Sequence, residues 1–199
     1  AAEKIQDGST LCTIGMTLVS ASESILKAIE KRFETVGHPA DITLVHSCGQ
    51  SDRKDGIQHL AHEGLVKRIV GSHWGLQPRW MEMIANSQVE AYCLPQGQIA
   101  QLYRSMACGL PGKMSKVGLG TFIDPRVEGG KMNDRTKPLP DIVDILEYGG
   151  EEYMFYKEIP LDTVLIRGTV CDEMGNLTTT EEAMKLEVLP AVLAAKRYG

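Results

Sequence analysis

Apolar and polar positions follow two alternating rhythms along most of this chain. "STLCTIG" (9–15) is a short, β-branched apolar run closed by glycine, which predicts a strand. The Ser20–Glu23 spacing in "SASE" predicts a capping box, and Ile25, Leu26, Ile29 and Phe33 then recur at helical spacing as far as Gly37-His38-Pro39. "DITLVHS" (41–47) predicts a second strand, "GIQHLAHEGL" (56–65) a short helix and "VKRIVGS" (66–72) a third strand. Pro78 suits the first position of a helix carrying Trp80, Met81 and Ile84. "QVEAYCLPQG" (88–97) alternates into a fourth strand, and Ile99, Leu102, Tyr103 and Met106 mark a helix ended by Gly109. This order predicts an α/β fold. Its core is an open, mostly parallel sheet from strands near 9–14, 42–46, 67–71 and 89–93, with helices on both faces.

Past residue 148 the rhythm changes. "EYMFYKEI" (152–159) and "TVLIRGTVCD" (163–172) read as strands with little helix between them, so some antiparallel strands are expected in the C-terminal quarter. Gly175-Asn176 marks a turn, and 180–199 predicts a final helical region broken near Pro190. The sequence lacks an initial Met and ends where that helix reaches Gly199, a point after which a βα rhythm continues with a strand. It is therefore expected to be one domain, 1–199, cut from a longer protein.

With 199 residues, 43% hydrophobic and 24% charged, the chain can bury a sizeable core. A net charge of −5 disfavours nucleic acid or an anionic membrane as partner, and no apolar run approaches the roughly 20 residues of a membrane span. Cys12, Cys48, Cys93, Cys108 and Cys171 are odd in number with no CxxC, which predicts reduced thiols in a cytoplasmic protein. His46-Ser-Cys48 and His59-x-x-His62 match no standard zinc spacing, so no metal is expected.

Candidate chemistry lies where parallel strands deliver their carboxyl ends to loops. Four such loops, 14–20, 46–56, 71–78 and 94–98, carry glycine with a polar or aromatic side chain. For any one of them, glycine reads equally well as a plain strand end, and His73-Trp74 as a core pair. Gln96, between Pro95 and Gly97, is placed to hydrogen-bond a carboxylate or thioester oxygen. Residues 109–133 hold six glycines and two prolines, within a stretch (104–135) of six Lys/Arg against three Asp/Glu. That composition suits an anionic ligand or a mobile loop, and it matches neither a Walker loop nor G-x-G-x-x-G.

"LPQGQIAQLYRSMACGLPGKMSKVGLGTFIDPRVEGGKMN" (94–133), "EGLVKRIVGSHWGLQP" (63–78) and "IRGTVCDEMGNLTTTEEA" (166–183) resemble the α-half of family I coenzyme A transferases, of the acetate/propionate type. The resemblance implies a fold shared with sugar-phosphate isomerases. It implies transfer of CoA between an acyl-CoA and a short-chain carboxylate through a glutamyl-CoA intermediate. CoA is then a co-substrate, with no permanently bound cofactor, and the partners are the complementary β half and further copies in a homo-oligomer. By the same resemblance, Gly15, Met16, Thr17, Leu18 and Val19 form the acyl/oxyanion loop. Gln50, His73, Trp74, Gln96 and Gly97 face substrate, while Gly118, Gly120, Thr121, Phe122, Asp124, Arg126, Gly130 and Lys131 wall the acyl/CoA pocket.

Two departures stand out. Relatives carry a double or triple glycine where this chain has "GMTLVSAS", and the family's nucleophilic glutamate, in a Glu-Asn-Gly setting, has no counterpart here. Glu63-Gly64 and Glu128-Gly129 fall inside segments that match the non-catalytic half, so no catalytic residue is expected in this chain. The alternative is a ligand-sensing domain of a sugar-phosphate-responsive regulator on the same fold.

Overall fold

In a computed structural model, which describes residues 1–198, five parallel strands form the central sheet. They are β1 (Thr10–Thr13), β2 (Ile42–Val45), β3 (Val66–Gly71), β4 (Glu90–Cys93) and, after an excursion, β8 (Thr163–Leu165). Their order is β4-β3-β2-β1-β8. Alternate residues enter two cores: Leu11, Ile42, Leu44, Ile69 and Ala91 on one face, Cys12, Val45, Val70 and Tyr92 on the other. The first core is closed by α1 (Glu23–Val36) and α2 (Pro78–Ala85). The second is closed by α3 (Gln96–Ala107), α4 (Val188–Tyr198) and an antiparallel sheet of order β5-β7-β6. Those strands are β5 (Gly112–Ser115), β6 (Val143–Tyr148) and β7 (Glu151–Lys157), and a small hairpin pairs β9 (Val170–Cys171) with β10 (Leu177–Thr178). The expected α/β architecture is present.

Local departures have identifiable causes. Ser20 sits at φ +59° and donates its hydroxyl to Met184 O, while the Glu23 carboxylate accepts Gly56 N–H, so the capping box does not form and α1 starts from Ser22. Residues 56–65 form a 3-10 turn over Gly56–Leu60 instead of an α-helix. The strand expected over 163–172 is interrupted after Leu165 by the exit toward the β9–β10 hairpin. The last helix begins only at Val188, which puts Pro190 in its first turn, where a missing N–H costs nothing, so Pro190 breaks no helix. Gly199, the expected stop, lies outside the described residues.

Residues 130–136 cover the outer edge of β4. Cys93 N–H donates to Gly130 O (2.8 Å), Met132 N–H to Ala91 O (3.0 Å) and Ala91 N–H to the Thr136 hydroxyl (2.7 Å). Gly130 must be glycine for this, because at φ +71° a Cβ would stand 2.6 Å from Cys93 O.

Candidate functional site

Strand order reverses beside β1: β2 lies on one side of it and β8 on the other, so the loops that leave β1 and β8 diverge and open a crevice. A groove of about 360 Å³ occupies it, lined by Ala21, Ser22 and Ile25 at the start of α1 and by Ile166, Arg167 and Gly168 beyond β8.

The 14–20 loop at this crevice is closed on itself. Met16 N–H donates to Val19 O (3.0 Å), Val19 N–H to Met16 O (2.9 Å) and Thr17 N–H to Gly49 O (2.8 Å). The N–H groups of Gly15 and Leu18 have no acceptor among the described residues. Met16, Leu18 and Val19 are half-buried, Thr17 is exposed, and Gly15 is buried against the Ala21 backbone.

The neighbouring loops brace it. Gln50 is buried and donates its side-chain amide to Thr13 O (2.8 Å), while its backbone carbonyl accepts Ile57 N–H (2.8 Å). Gln77, also buried, donates to His73 O (2.8 Å) and Trp74 O (3.2 Å) and accepts Gln50 N–H (3.1 Å). His46 donates from Nδ1 to Cys48 O (2.8 Å) and meets Trp74 edge-on at 5.0 Å between centroids. Burial holds the His46 imidazole down to about pKa 4, so it is neutral, with Nε2 enclosed and without a partner among the described residues. Of the expected pair, Trp74 is thus a core side chain and His73 is exposed.

Gln96 is exposed at the first position of α3, where its carboxamide has no hydrogen-bond partner among the described residues; Gly97 is exposed beside it. Sequence reading missed Glu187, half-buried ahead of α4, whose carboxylate accepts the Ser47 hydroxyl (3.1 Å). Burial first, then Glu187, pushes the Cys48 thiol up, which keeps it protonated and a poor nucleophile. The contact joins residues 140 positions apart, and no local pattern signals it.

The glycine-rich segment is built largely on its own polar contacts. Asp124 is fully buried and binds Arg126 through Nε (3.0 Å) and Nη2 (2.8 Å) and Gly120 N–H (2.9 Å); the guanidinium holds its carboxyl well below the usual carboxylate range. Arg126 also meets Glu152 (2.9 Å), Lys131 meets Asp141 (2.9 Å), and Lys116 meets Glu151 (2.6 Å). These cations of the locally basic stretch therefore have partners. Gly118 leaves room for the Tyr156 hydroxyl, whereas Thr121 and Phe122 are exposed.

The histidines 59 and 62 form an ion-pair clasp between α1 and the 3-10 turn. His59 contacts Glu30 (2.5 Å), Glu23 (2.8 Å) and Asp55 (3.3 Å), and His62 contacts Glu30 (2.9 Å). Lys27 lies 3.1 Å from Glu23 and 3.2 Å from Asp55, and Arg79 3.4 Å from Glu30.

The family model of coenzyme A transferases matches residues 1–197. The chain belongs to that family. It is 42% identical to caffeate CoA-transferase of Acetobacterium woodii over all of this chain and 38% of the relative. It is 36% identical to acetate CoA-transferase YdiF of Escherichia coli over 98% of this chain and 37% of the relative. The crystal structure of the acyl-CoA transferase YdiF from E. coli O157:H7, in a thioester complex with CoA, superposes with a TM-score of 0.95 at 34% identity. That superposition covers 100% of this chain and 39% of the other. The CoA-transferase chain described here thus spans less than half the length of these relatives.

Proposed function

We propose that this chain is the half of a CoA-transferase that shapes the acyl side of the active site, while a complementary half supplies the nucleophilic carboxylate. One observation carries the reading. The donors that these loops leave without a partner among the described residues include Gly15 N–H, Leu18 N–H and the Gln96 carboxamide. Carboxylates in and beside these loops are already bonded: Glu23 to Gly56 N–H, His59 and Lys27, Glu187 to Ser47, Asp52 to Lys54 and Asp55 N–H, and Asp55 to Lys27 and His59.

In the reaction, a carboxylate from the other half attacks the acyl-CoA carbonyl and expels CoA thiolate, leaving an acyl-glutamyl anhydride. The thiolate returns to the glutamyl carbonyl, releasing the first acid and forming the glutamyl-CoA thioester; the acceptor acid then runs both steps in reverse. Each addition develops an oxyanion, and a rigid loop N–H such as that of Leu18 is suited to meet it without reorganisation. The strands that lead to Leu18 and Gln96 stand three apart in the sheet, about 14 Å. Gln96 therefore addresses the acyl substrate from the side opposite the 14–20 loop. The names of the relatives, caffeate and acetate, leave the acid open, and a short-chain carboxylate is the reading favoured by the acetate-type resemblance.

The test is Gln96→Ala in the complete enzyme. CoA transfer should fall by about tenfold or more, the scale of one lost hydrogen bond to a charged group, while stability changes by less than about 1 kcal/mol because the residue is exposed. Unchanged turnover would remove Gln96 from the site.

A further inference from the structure

The 14–20 loop is held in a conformation that its own sequence disfavours. Thr17 sits at φ +53° and Ser20 at φ +59°, in the left-handed region that glycine tolerates and other residues reach only at a cost. Such a backbone persists where its surroundings fix it. Ser20 is tied by its hydroxyl to Met184 O (3.0 Å) and Thr17 N–H to Gly49 O (2.8 Å), while Gly15 packs against the backbone of Ala21, just ahead of α1. The last two contacts lead to one side chain. Gly49 belongs to the 46–56 loop, which ends at Gly56, and Gly56 lies so close to Gln50 that a Cβ there would run into Gln50 O. Gly56 N–H is held by Glu23 Oε2 (2.9 Å), and Glu23 is the first residue of α1. Glu23 Oε1 in turn faces His59 Nε2 (2.8 Å).

His59 is enclosed by charged groups. From α1 it meets Glu23, which Lys27 also touches, and through Nδ1 it meets Glu30 (2.5 Å). Asp55, at the start of its own turn, reaches Nε2 (3.3 Å). Arg79 of α2 and His62 lie against the other oxygen of Glu30, with Glu34 beside them. With carboxylates at both nitrogens, the ring completes its bonds only as an imidazolium, in which each nitrogen donates. Loss of the proton sets a lone pair against a carboxylate. The shorter contact to Glu30 keeps the remaining N–H at Nδ1, so Nε2 then repels Glu23, which turns to Lys27 and releases Gly56 N–H. Resting on the reading of the 14–20 loop above, we propose that His59 is a positioning residue for CoA transfer. Its imidazolium holds Glu23, Glu23 holds Gly56 and the start of α1, and this relay presents Leu18 N–H to the reacting carbonyl. Burial opposes the charge on His59, but the bonds to Glu30 and Glu23 overcome it and raise the pKa. The loop is therefore firm below that pKa and loosens as pH rises through it.

The experiment measures kcat and KM of the complete enzyme against pH, together with amide hydrogen exchange at Thr17 and Gly56, corrected for its intrinsic pH dependence. In the parent, kcat and the protection of both amides should decline together as pH rises through the folded His59 pKa, above about 6.5. His59→Gln should show no such decline. On the acid side its kcat should lie about tenfold below the parent's, a fraction of what removal of an oxyanion donor costs, with KM within about twofold because the donor acts on the transition state. Glu30→Gln withdraws support from the charge on His59, so it should move the decline to lower pH. A decline that persists in His59→Gln and keeps its place in Glu30→Gln would overturn the proposal. The two readings also separate. Transfer that changes in His59→Gln while Thr17 and Gly56 stay protected sinks the relay alone, and amides that loosen while transfer is unchanged sink the oxyanion role of the loop alone.

Discussion

Gly71→Ala tests whether the packing beneath the loops is as tight as the structure requires. Gly71 closes β3, and a Cβ built on it stands 2.5 Å from His46 Nε2, closer still to Cε1, and 3.0 Å from Trp74 Cη2. Ordinary carbon contacts are about 3.5–4.0 Å, so the imidazole must shift by about 1 Å. It has nowhere to go: His46 is fully buried, Trp74 nearly so, and moving the ring lengthens the Nδ1–Cys48 O bond. Overpacking costs about 1–3 kcal/mol and a strained buried hydrogen bond about 1 more, which sums to about 2–4 kcal/mol. At about 2–4 °C per kcal/mol for a chain of this size, the melting temperature should fall by about 4–16 °C. Gly97→Ala is the control, because nothing lies within 4 Å of the added Cβ and the position is helical; it should be neutral or stabilising by up to about 1 kcal/mol. Thermal melts followed by circular dichroism decide. Equal melting temperatures for the two variants would refute the argument that His46 and Trp74 leave no room.

Other consequences follow from the charged groups. His46 is held neutral to about pH 4 in the fold but titrates near 6.5 when unfolded, so stability should be lost as pH falls from about 6.5 to 4, by up to about 3 kcal/mol. His46→Phe, if folded, should flatten that limb of a urea-midpoint profile. His59 has the opposite sign: burial opposes its charge, but the bonds to Glu30 and Glu23 outweigh burial and raise its pKa. Its contribution is complete below pH 6.5 and is lost as pH rises through the folded pKa. The urea midpoint should therefore decline above neutrality, and His59→Gln should abolish that decline. Asp124→Asn removes the carboxylate that gathers Arg126 and Gly120 N–H, and should cost about 1–3 kcal/mol and speed hydrogen exchange across 118–130. A variant with parental exchange in that segment would show that Asp124 does not organise it.

Much of the fold was legible because its signals are local. Strand runs such as Ile42–Val45 and the helical period through Ile99 and Met106 need no distant partner to be read. Family membership was legible in 94–133 for the same reason. What escaped depends on contacts far apart in sequence. Ser20 and Glu23 have the spacing of a capping box, yet Met184 and Gly56 claim their side chains. Gln50 has the look of a ligand-binding amide, but its partner is Thr13 O, 37 residues away. Asp124 and Lys131 look like free charges in a glycine-rich stretch until Arg126 and Asp141 are brought against them. Strand β6 gave little warning, since "VDILEY" leaves its second half exposed.

The central claim, that this chain is one half of a CoA-transferase and holds no nucleophile of its own, is tested most directly by CoA exchange. Residues 1–199 are incubated with acetyl-CoA and labelled acetate or propionate, first alone and then with the complementary half added. No label should enter CoA thioester with the chain alone, and turnover should appear in the mixture. Robust exchange by the chain alone, abolished by changing Glu63, Glu128 or Glu187 to Gln, would place the nucleophile here and contradict the claim.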